Sequence, residues 1–303
     1  MNIAKRLLFR KRTSVDPAFI ISILSDGAGA FTIPTRSAIF TYLYDVEVVG
    51  GSTFTDKTGD FQVTGLTPST AYDLRITGTF PTIYFNGTAV DRSRITSIKN
   101  WGSIAWSSFT SSFRGCTILN SGSAVNTPNL SNVTSLNQMF QGCQLFNQEI
   151  GDWDVSNVTS MTQMFRDADD FNQPLGGWNT SNVTDMSLMF RDARAFNYPI
   201  GNWDTSNVTT IEQMFRGSDS FDQTLGNWDI TNVSNAVDFM QNKTLSTVNY
   251  DATLIGWAAL TTPPSGLTIS FGSSQYTNSG AALAARNTLT TTYSWIITDG
   301  GGV

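Results

Sequence analysis

Asp152 and Asp154 stand closest in the sequence to a catalytic or metal-binding pair of carboxylates. Two carboxylates can divide general acid and general base work, and oxygen is the ligand atom that Ca²⁺ prefers. The position of Asp154 recurs every 25 residues, however, as Asn179, Asp204 and Asp229. Because a recurring polar position is better explained as a ladder along an edge, we expect these four to form a candidate ligand face. We expect no catalytic residue, bound metal or cofactor.

Other reactive residue types are scarce. The chain has no His, which removes the commonest general base and metal ligand. Phosphate-binding loops, nucleophile elbows and zinc-ligand clusters are also missing from the sequence. The two Cys, Cys116 and Cys143, share one repeat position, which Ala168, Ala193 and Ser218 occupy later. We therefore expect this repeat position to accommodate only small side chains. The two Cys would lie in stacked neighbouring repeats, near enough for a disulfide, and whether one forms is left open.

Two further features suggest carbohydrate chemistry. Four tryptophans could stack on sugars, but they repeat with the period of the apolar residues, which predicts burial. N-V-T triplets match the glycosylation acceptor, but their repetition predicts Asn side chains that bond their own backbone in turns. The tryptophans are Trp153, Trp178, Trp203 and Trp228, and the triplets begin at Asn132, Asn157, Asn182 and Asn207.

An internal repeat of 25 residues must position these side chains. It is visible in Met-Phe pairs ending at Phe140, Phe165, Phe190 and Phe215, and in a second series from Phe146 to Phe221. A unit this short cannot enclose its own core, so each repeat must stack on its neighbours. A period between 20 and 29 is the leucine-rich-repeat range. The sequence thus predicts a right-handed solenoid with one short strand per coil, spaced about 4.8 Å apart.

Composition and charge bound the rest of the chain. It has 303 residues, of which 40% are hydrophobic and 14% charged, with 25 Gly, so we expect two or three folded units rich in β structure. Five of its 18 basic residues lie in the first twelve positions, and the remainder carries a net charge of −11. An acidic body repels phosphate backbones, so we expect no nucleic-acid partner for it.

The basic N-terminus is predicted to anchor the protein to a partner. Ile3, Leu7 and Leu8 could share one helical face, while the cations pair with carboxylates of a capsid or tail protein. The apolar run 18–24 is compatible with a short export signal, but a buried first strand fits it better. No stretch reaches the length of a membrane span. The predicted anchor residues are Ile3, Lys5, Arg6, Leu7, Leu8, Arg10, Lys11 and Arg12.

Residues 14–90 predict half-buried strands. Apolar and polar side chains alternate over residues 72–77, as in a strand with one polar face. The apolar ones are Tyr72, Leu74 and Ile76, and the polar ones are Asp73, Arg75 and Thr77. The stretch VTGLTPSTAYDLRITG, residues 63–78, resembles the tyrosine corner of fibronectin-type sandwiches, in which the tyrosine hydroxyl bonds back to the chain. We expect a fibronectin/Ig-like β-sandwich here.

The repeat FNQPLGGWNTSNVTDMSLMF, residues 171–190, resembles the BspA-like bacterial surface leucine-rich repeats. The segment 95–116 is similar to that family's entry cap, and the tail beginning YDATLIGWAAL at residue 250 to its terminal module. The resemblance implies surface-exposed proteins that bind host or neighbouring-cell molecules and implies no catalysis. The chain departs from the family in lacking a convincing export signal, a lipobox Cys or a sorting tail.

These observations predict a mainly β protein with some α structure. Its parts are an anchor peptide (1–13), a β-sandwich (14–90), a leucine-rich-repeat-like solenoid with its entry cap (91–240) and an α/β cap (241–303). We expect a noncatalytic virion surface protein whose outward solenoid binds a host-surface protein or glycan. The alternative is an exported BspA-like adhesin at the bacterial cell surface or secreted; a glycan-cleaving enzyme is a third class, and homo-oligomerisation is left open.

Overall fold

The computed structural model describes residues 16–86, 89–120 and 124–303. The protein is mainly β with few helices, as the sequence predicted. The first part contains two sheets. Five strands pair in the order β4-β3-β6-β1-β7, antiparallel throughout, and β2 pairs antiparallel with β5. The strands are β1 (Phe19–Leu24), β2 (Phe31–Ile33), β3 (Leu43–Val48), β4 (Thr53–Lys57), β5 (Phe61–Val63), β6 (Ala71–Thr79) and β7 (Ile95–Asn100).

The alternation in β6 decides which of its faces is buried. Leu74 and Ile76 are fully buried. Arg75 lies between them on the other face, where its guanidinium group forms ion pairs with the carboxylates of Asp16 at 2.7 Å and Glu47 at 3.3 Å. The Tyr72 hydroxyl accepts a hydrogen bond from the backbone N–H of Thr67 at 2.9 Å, which confirms the predicted bond back to the chain.

The first sheet extends further along the chain than predicted. A 3-10 helix (Val90–Arg94) leads into β7, which pairs with the free edge of β1. Residues 95–100 therefore belong to the first sheet. The sequence predicted instead that the β-sandwich ends at residue 90 and that residues 95–116 form the entry cap of the solenoid. The reason is that Ile95 and Ile98 bury against the sheet core, while the edge of β1 offers unpaired backbone groups.

Repeats from residue 135 onward are joined by backbone hydrogen bonds between equivalent residues. Thr159 N–H donates to the Thr134 carbonyl at 2.8 Å, and the same bond recurs at Thr184 and Thr209. Only one residue per repeat forms a parallel bridge with the next repeat, so the prediction of a short strand in every coil is wrong. A strand cannot extend from the bridge because the backbone turns again three residues later, where a non-glycine residue has positive φ. The bridge residues are Ser135, Ser160, Asp185, Thr210 and Asn235; the positive-φ residues are Gln138, Gln163, Leu188, Gln213 and Asp238.

The C-terminal part continues the stack with regular elements. It contains α1 (Thr247–Ala258), β8 (Thr268–Ser270), α2 (Gly280–Asn287), a π-helical turn (Thr288–Thr292) and β9 (Ile296–Thr298). Ile269 of β8 forms a parallel bridge with Ala236 of the last repeat, and β9 pairs parallel with β8. Among the residues described, no helix combines the length and apolar character that crossing a membrane needs.

Candidate functional site

The phenylalanine columns form the interior of the repeats. Phe165, Phe190 and Phe215 are fully buried, and their rings stack at centroid distances of 5.6 Å. Each ring also stacks at 3.9 to 4.0 Å on a phenylalanine of the second series, such as Phe196 beside Phe190. The predicted burial and register of these residues are confirmed. Their side chains hold the repeats together and are not accessible to a ligand.

The tryptophan column is also internal. Trp178, Trp203 and Trp228 are at most 4% exposed and stack with their rings 5° from parallel. Each indole N–H donates at 3.0 Å to the carbonyl 28 residues earlier in the chain. These three therefore provide no platform for stacking sugars, and the predicted burial of these tryptophans is confirmed.

A fourth member of this hydrogen-bond series was missed by the sequence analysis. Trp257 of α1 is fully buried and donates its indole N–H to the Leu225 carbonyl at 2.9 Å. Its separation of 29 residues from Trp228 was the available signal. The C-terminal helix thus offers the last repeat the same contact that a further repeat would.

The predicted ligand face lies on the outer surface. Asp154, Asn179 and Asp204 are exposed and Asp229 is half-buried. In each, the Oδ1 atom accepts the backbone N–H two residues later, at 2.9 to 3.2 Å. Each side chain therefore forms an Asx turn, which fixes the backbone of the loop that carries it.

The turns also lower the pKa of two carboxyl groups on this face. Hydrogen bonds from Ser156 to Asp154 and from Ser206 to Asp204 lower the pKa of both carboxyl groups below the ordinary value. Both groups therefore stay ionised to a lower pH than an unperturbed aspartate does. Within the part of the chain that the structure describes, no group of three or more Cys, Asp or Glu side chains is arranged to hold a metal ion.

The asparagines of the N-V-T triplets join neighbouring repeats. The side-chain amides of Asn157, Asn182 and Asn207 donate to carbonyl groups 26 residues earlier, at 2.7 to 3.2 Å. The prediction that they bond their own backbone is therefore wrong. Stacking brings the preceding repeat's carbonyl within reach, and the amide nitrogen that a glycan would modify is already used in this bond.

Cys116 and Cys143 are free thiols and fully buried. The Cys143 thiol donates to the Phe113 carbonyl at 3.0 Å. Three repeats later, the Ser218 hydroxyl makes the equivalent bond to the Phe190 carbonyl. Burial raises the pKa of both thiols above the ordinary value. These contacts match the predicted position for small side chains.

We expect both thiols to resist iodoacetamide at pH 8 in the native protein and to react after unfolding in urea, since a buried thiol forms little thiolate. Replacing both by Ala should leave Tm nearly unchanged. The control is the wild-type protein with and without reductant. A fall in Tm of more than about 8 °C on reduction would instead reveal a structural disulfide, whose loss typically costs about 2 to 5 kcal/mol.

The predicted N-terminal anchor lies outside the described residues. This applies to all eight of its members: Ile3, Lys5, Arg6, Leu7, Leu8, Arg10, Lys11 and Arg12.

Comparison with known proteins gives a match in the repeat region. A family model described as "Mycoplasma protein of unknown function, DUF285" matches residues 107–228 and 176–257. No similar curated protein and no similar solved structure was found. The match covers the tryptophan and phenylalanine columns, and it ends within α1, which carries Trp257. Over residues 107–257 the chain is therefore similar to the DUF285 family, and this supports, at a coarse level, the BspA-like surface-protein family that the repeats resemble.

Proposed function

We propose that this chain is a noncatalytic recognition protein that binds a macromolecular ligand through the outer surface of its repeats. The observation that carries this proposal is the ladder of backbone bonds linking Thr134, Thr159, Thr184 and Thr209 at 2.8 to 2.9 Å. Because equivalent residues are held in line, their exposed side chains form straight columns. Such an extended surface suits an extended partner, a host-surface protein or glycan, better than a small substrate.

The finer architecture belongs to the same proposal. We interpret the two sheets as a fibronectin/Ig-like sandwich, the repeats as a leucine-rich-repeat-like solenoid and the C-terminal part as its cap. The Tyr72 bond supports the first, the column of parallel bridges the second. The Ala236 to Ile269 bridge supports the third, because it protects an end of the stack that would otherwise leave backbone groups unpaired.

We propose the virion surface as the setting, with a bacterial cell-surface adhesin as the alternative. Support comes from the separation of charge, since five cations precede a body with a net charge of −11. Mass spectrometry of purified phage particles and of envelope fractions from the same culture tests the setting. Enrichment in particles supports the virion, and enrichment in the envelope supports the adhesin.

Recognition itself is tested with the purified full chain, labelled with biotin, on intact cells from that culture. We expect saturable binding that unlabelled chain displaces. A screen for glycan hydrolysis on the same preparation addresses the enzymatic alternative. Release of reducing ends that grows with chain concentration would contradict the noncatalytic proposal.

Deleting residues 1–12 should abolish incorporation into particles and leave the folded part intact. The first strand begins at Phe19, and Asp16, which binds Arg75, is retained in the truncated chain. The measurements are particle composition by mass spectrometry and Tm of the purified protein. A matched control replaces the five cations with Gln. Normal incorporation of the truncated chain would rule out the anchor and favour the exported adhesin.

A further inference from the structure

The series of indole hydrogen bonds is interrupted at Trp153. The later members of the column donate to the carbonyl 28 residues earlier, but the indole N–H of Trp153 has no acceptor among the described residues. The side chain is nevertheless 4% exposed and packs perpendicular to Trp101 at 5.3 Å. The indole N–H of Trp153 is thus not used in the stack, unlike those of the later tryptophans.

The cause lies in the irregular segment that precedes this repeat. The equivalent acceptor would be the carbonyl of Val125, but here the chain follows a different path. The Val125 N–H bonds to the Lys99 carbonyl of β7 at 3.1 Å, and Asn126 accepts the Trp101 N–H at 2.8 Å. These bonds tie the segment to the first sheet and leave the Val125 side chain 75% exposed.

A cleft of about 560 Å³ opens where the segment leaves the stack. Trp153 lines it together with Gln148, which is 5% exposed and whose Oε1 has no hydrogen-bond partner. Val125 and Pro174 add apolar surface. The volume is within the range of pockets that hold small molecules, about 300 to 1,000 Å³. A donor, an acceptor and an apolar patch therefore meet in one concave site.

The charge of the cleft restricts its ligand. Glu149 and Asp152 line it, are exposed, and form no ion pair with any described residue. No Lys or Arg of the described part lines it. Two unpaired carboxylates repel an anion, and they accept hydrogen bonds well from hydroxyl groups.

We propose that this cleft binds a neutral saccharide. In this arrangement the Trp153 N–H donates to a sugar oxygen, Glu149 and Asp152 accept from hydroxyl groups, and Val125 and Pro174 contact the C–H face of the ring. The inference rests on the proposed recognition function and deepens it, because it gives one site and one ligand class. Binding here uses the edge of Trp153 and its N–H, in contrast to the stacking platform suggested by the sequence.

The test is isothermal titration of the full chain with methyl glycosides of glucose, galactose, mannose and N-acetylglucosamine and with their β-linked disaccharides. Galacturonic acid serves as the anionic probe. We expect at least one neutral sugar to bind and galacturonic acid to bind more weakly. Absence of any heat of binding at about 10 mM of every neutral sugar would overturn the proposal.

Matched variants locate the site. Trp153→Phe keeps an aromatic six-membered ring and removes the pyrrole part with its N–H, so it should weaken sugar binding about tenfold. Trp203→Phe removes the same atoms from the interior, where the N–H bonds to the Leu175 carbonyl, so it should lower Tm more and leave binding unchanged. Glu149→Gln and Asp152→Asn, both at exposed positions, should each weaken binding several-fold without lowering Tm. Unchanged affinity in Trp153→Phe and in both carboxylate variants would exclude the cleft.

Two results separate this inference from the proposed function. If labelled chain binds cells equally well with and without Trp153→Phe, and no sugar of the panel binds, recognition stands and the cleft proposal fails. If sugars bind the cleft but labelled chain does not bind cells, the cleft proposal stands and adhesion fails. Displacement of a bound sugar by oligolysine with tighter affinity would assign the cleft to a cationic peptide and contradict the saccharide.

Discussion

Replacing Phe190 with Ala is expected to lower the free energy of unfolding by about 3 to 5 kcal/mol, the usual cost of truncating a buried phenylalanine. The ring is fully buried and contacts four others: Phe165 and Phe215 at 5.6 Å, Phe196 at 4.0 Å and Trp203 at 6.3 Å. Because rings above and below are held by backbone bonds between repeats, the structure cannot close around the cavity. Urea unfolding followed by circular dichroism measures the change.

Tyr198→Ala is the matched control for this experiment. Tyr198 lies in the same repeat and is 38% exposed, so its truncation should cost much less than that of Phe190. A loss below about 1 kcal/mol for Phe190→Ala would contradict the stacked column. Equal losses in the two variants would also contradict the deeper burial of Phe190.

Replacing Gly256 with Ala is expected to destabilise the protein by about 2 to 3 kcal/mol, although helix propensity alone predicts a gain of about 1 kcal/mol. Gly256 lies within α1, where it faces Gly226 of the last repeat. An added Cβ would overlap the Gly226 carbonyl oxygen and lie 2.5 Å from its Cα. Since both atoms belong to backbone, the helix itself must move away from the repeat.

That movement has a specific consequence. The next residue, Trp257, donates to the Leu225 carbonyl at 2.9 Å, and this bond depends on the close approach of the two glycines. The sign of the stability change, from urea unfolding, decides the outcome. Gly27→Ala is the control, because a Cβ at Gly27 meets nothing within 4 Å. A more stable Gly256→Ala protein would refute the close packing of α1 on the repeats.

Sequence periodicity was sufficient to predict the interior of the repeats. A 25-residue unit cannot bury its own apolar side chains, so equivalent residues of neighbouring repeats must meet, and Phe165, Phe190 and Phe215 do so. Alternation in β6 was likewise sufficient, because successive side chains of a strand point to opposite faces. The buried Leu74 and the outward Arg75 follow directly from that geometry.

Hydrogen-bond partners between distant segments were not predictable in this way. The Asn157 side chain bonds to the preceding repeat and β7 completes the first sheet, although neither partner is marked by residue type or spacing. An N–H donates to whichever carbonyl the fold brings within about 3 Å, and that depends on the path of the neighbouring chain.

Trp153 shows the difference most clearly. From the sequence alone it is one of four equivalent tryptophans, and its burial follows from the period. Only the tertiary structure shows that the chain near Val125 is bound to β7 at Lys99 and so cannot supply the carbonyl that the later tryptophans use. The repeat period determines which side chains are inside. The places where the regular stack meets another part of the fold determine which polar groups remain available to a ligand.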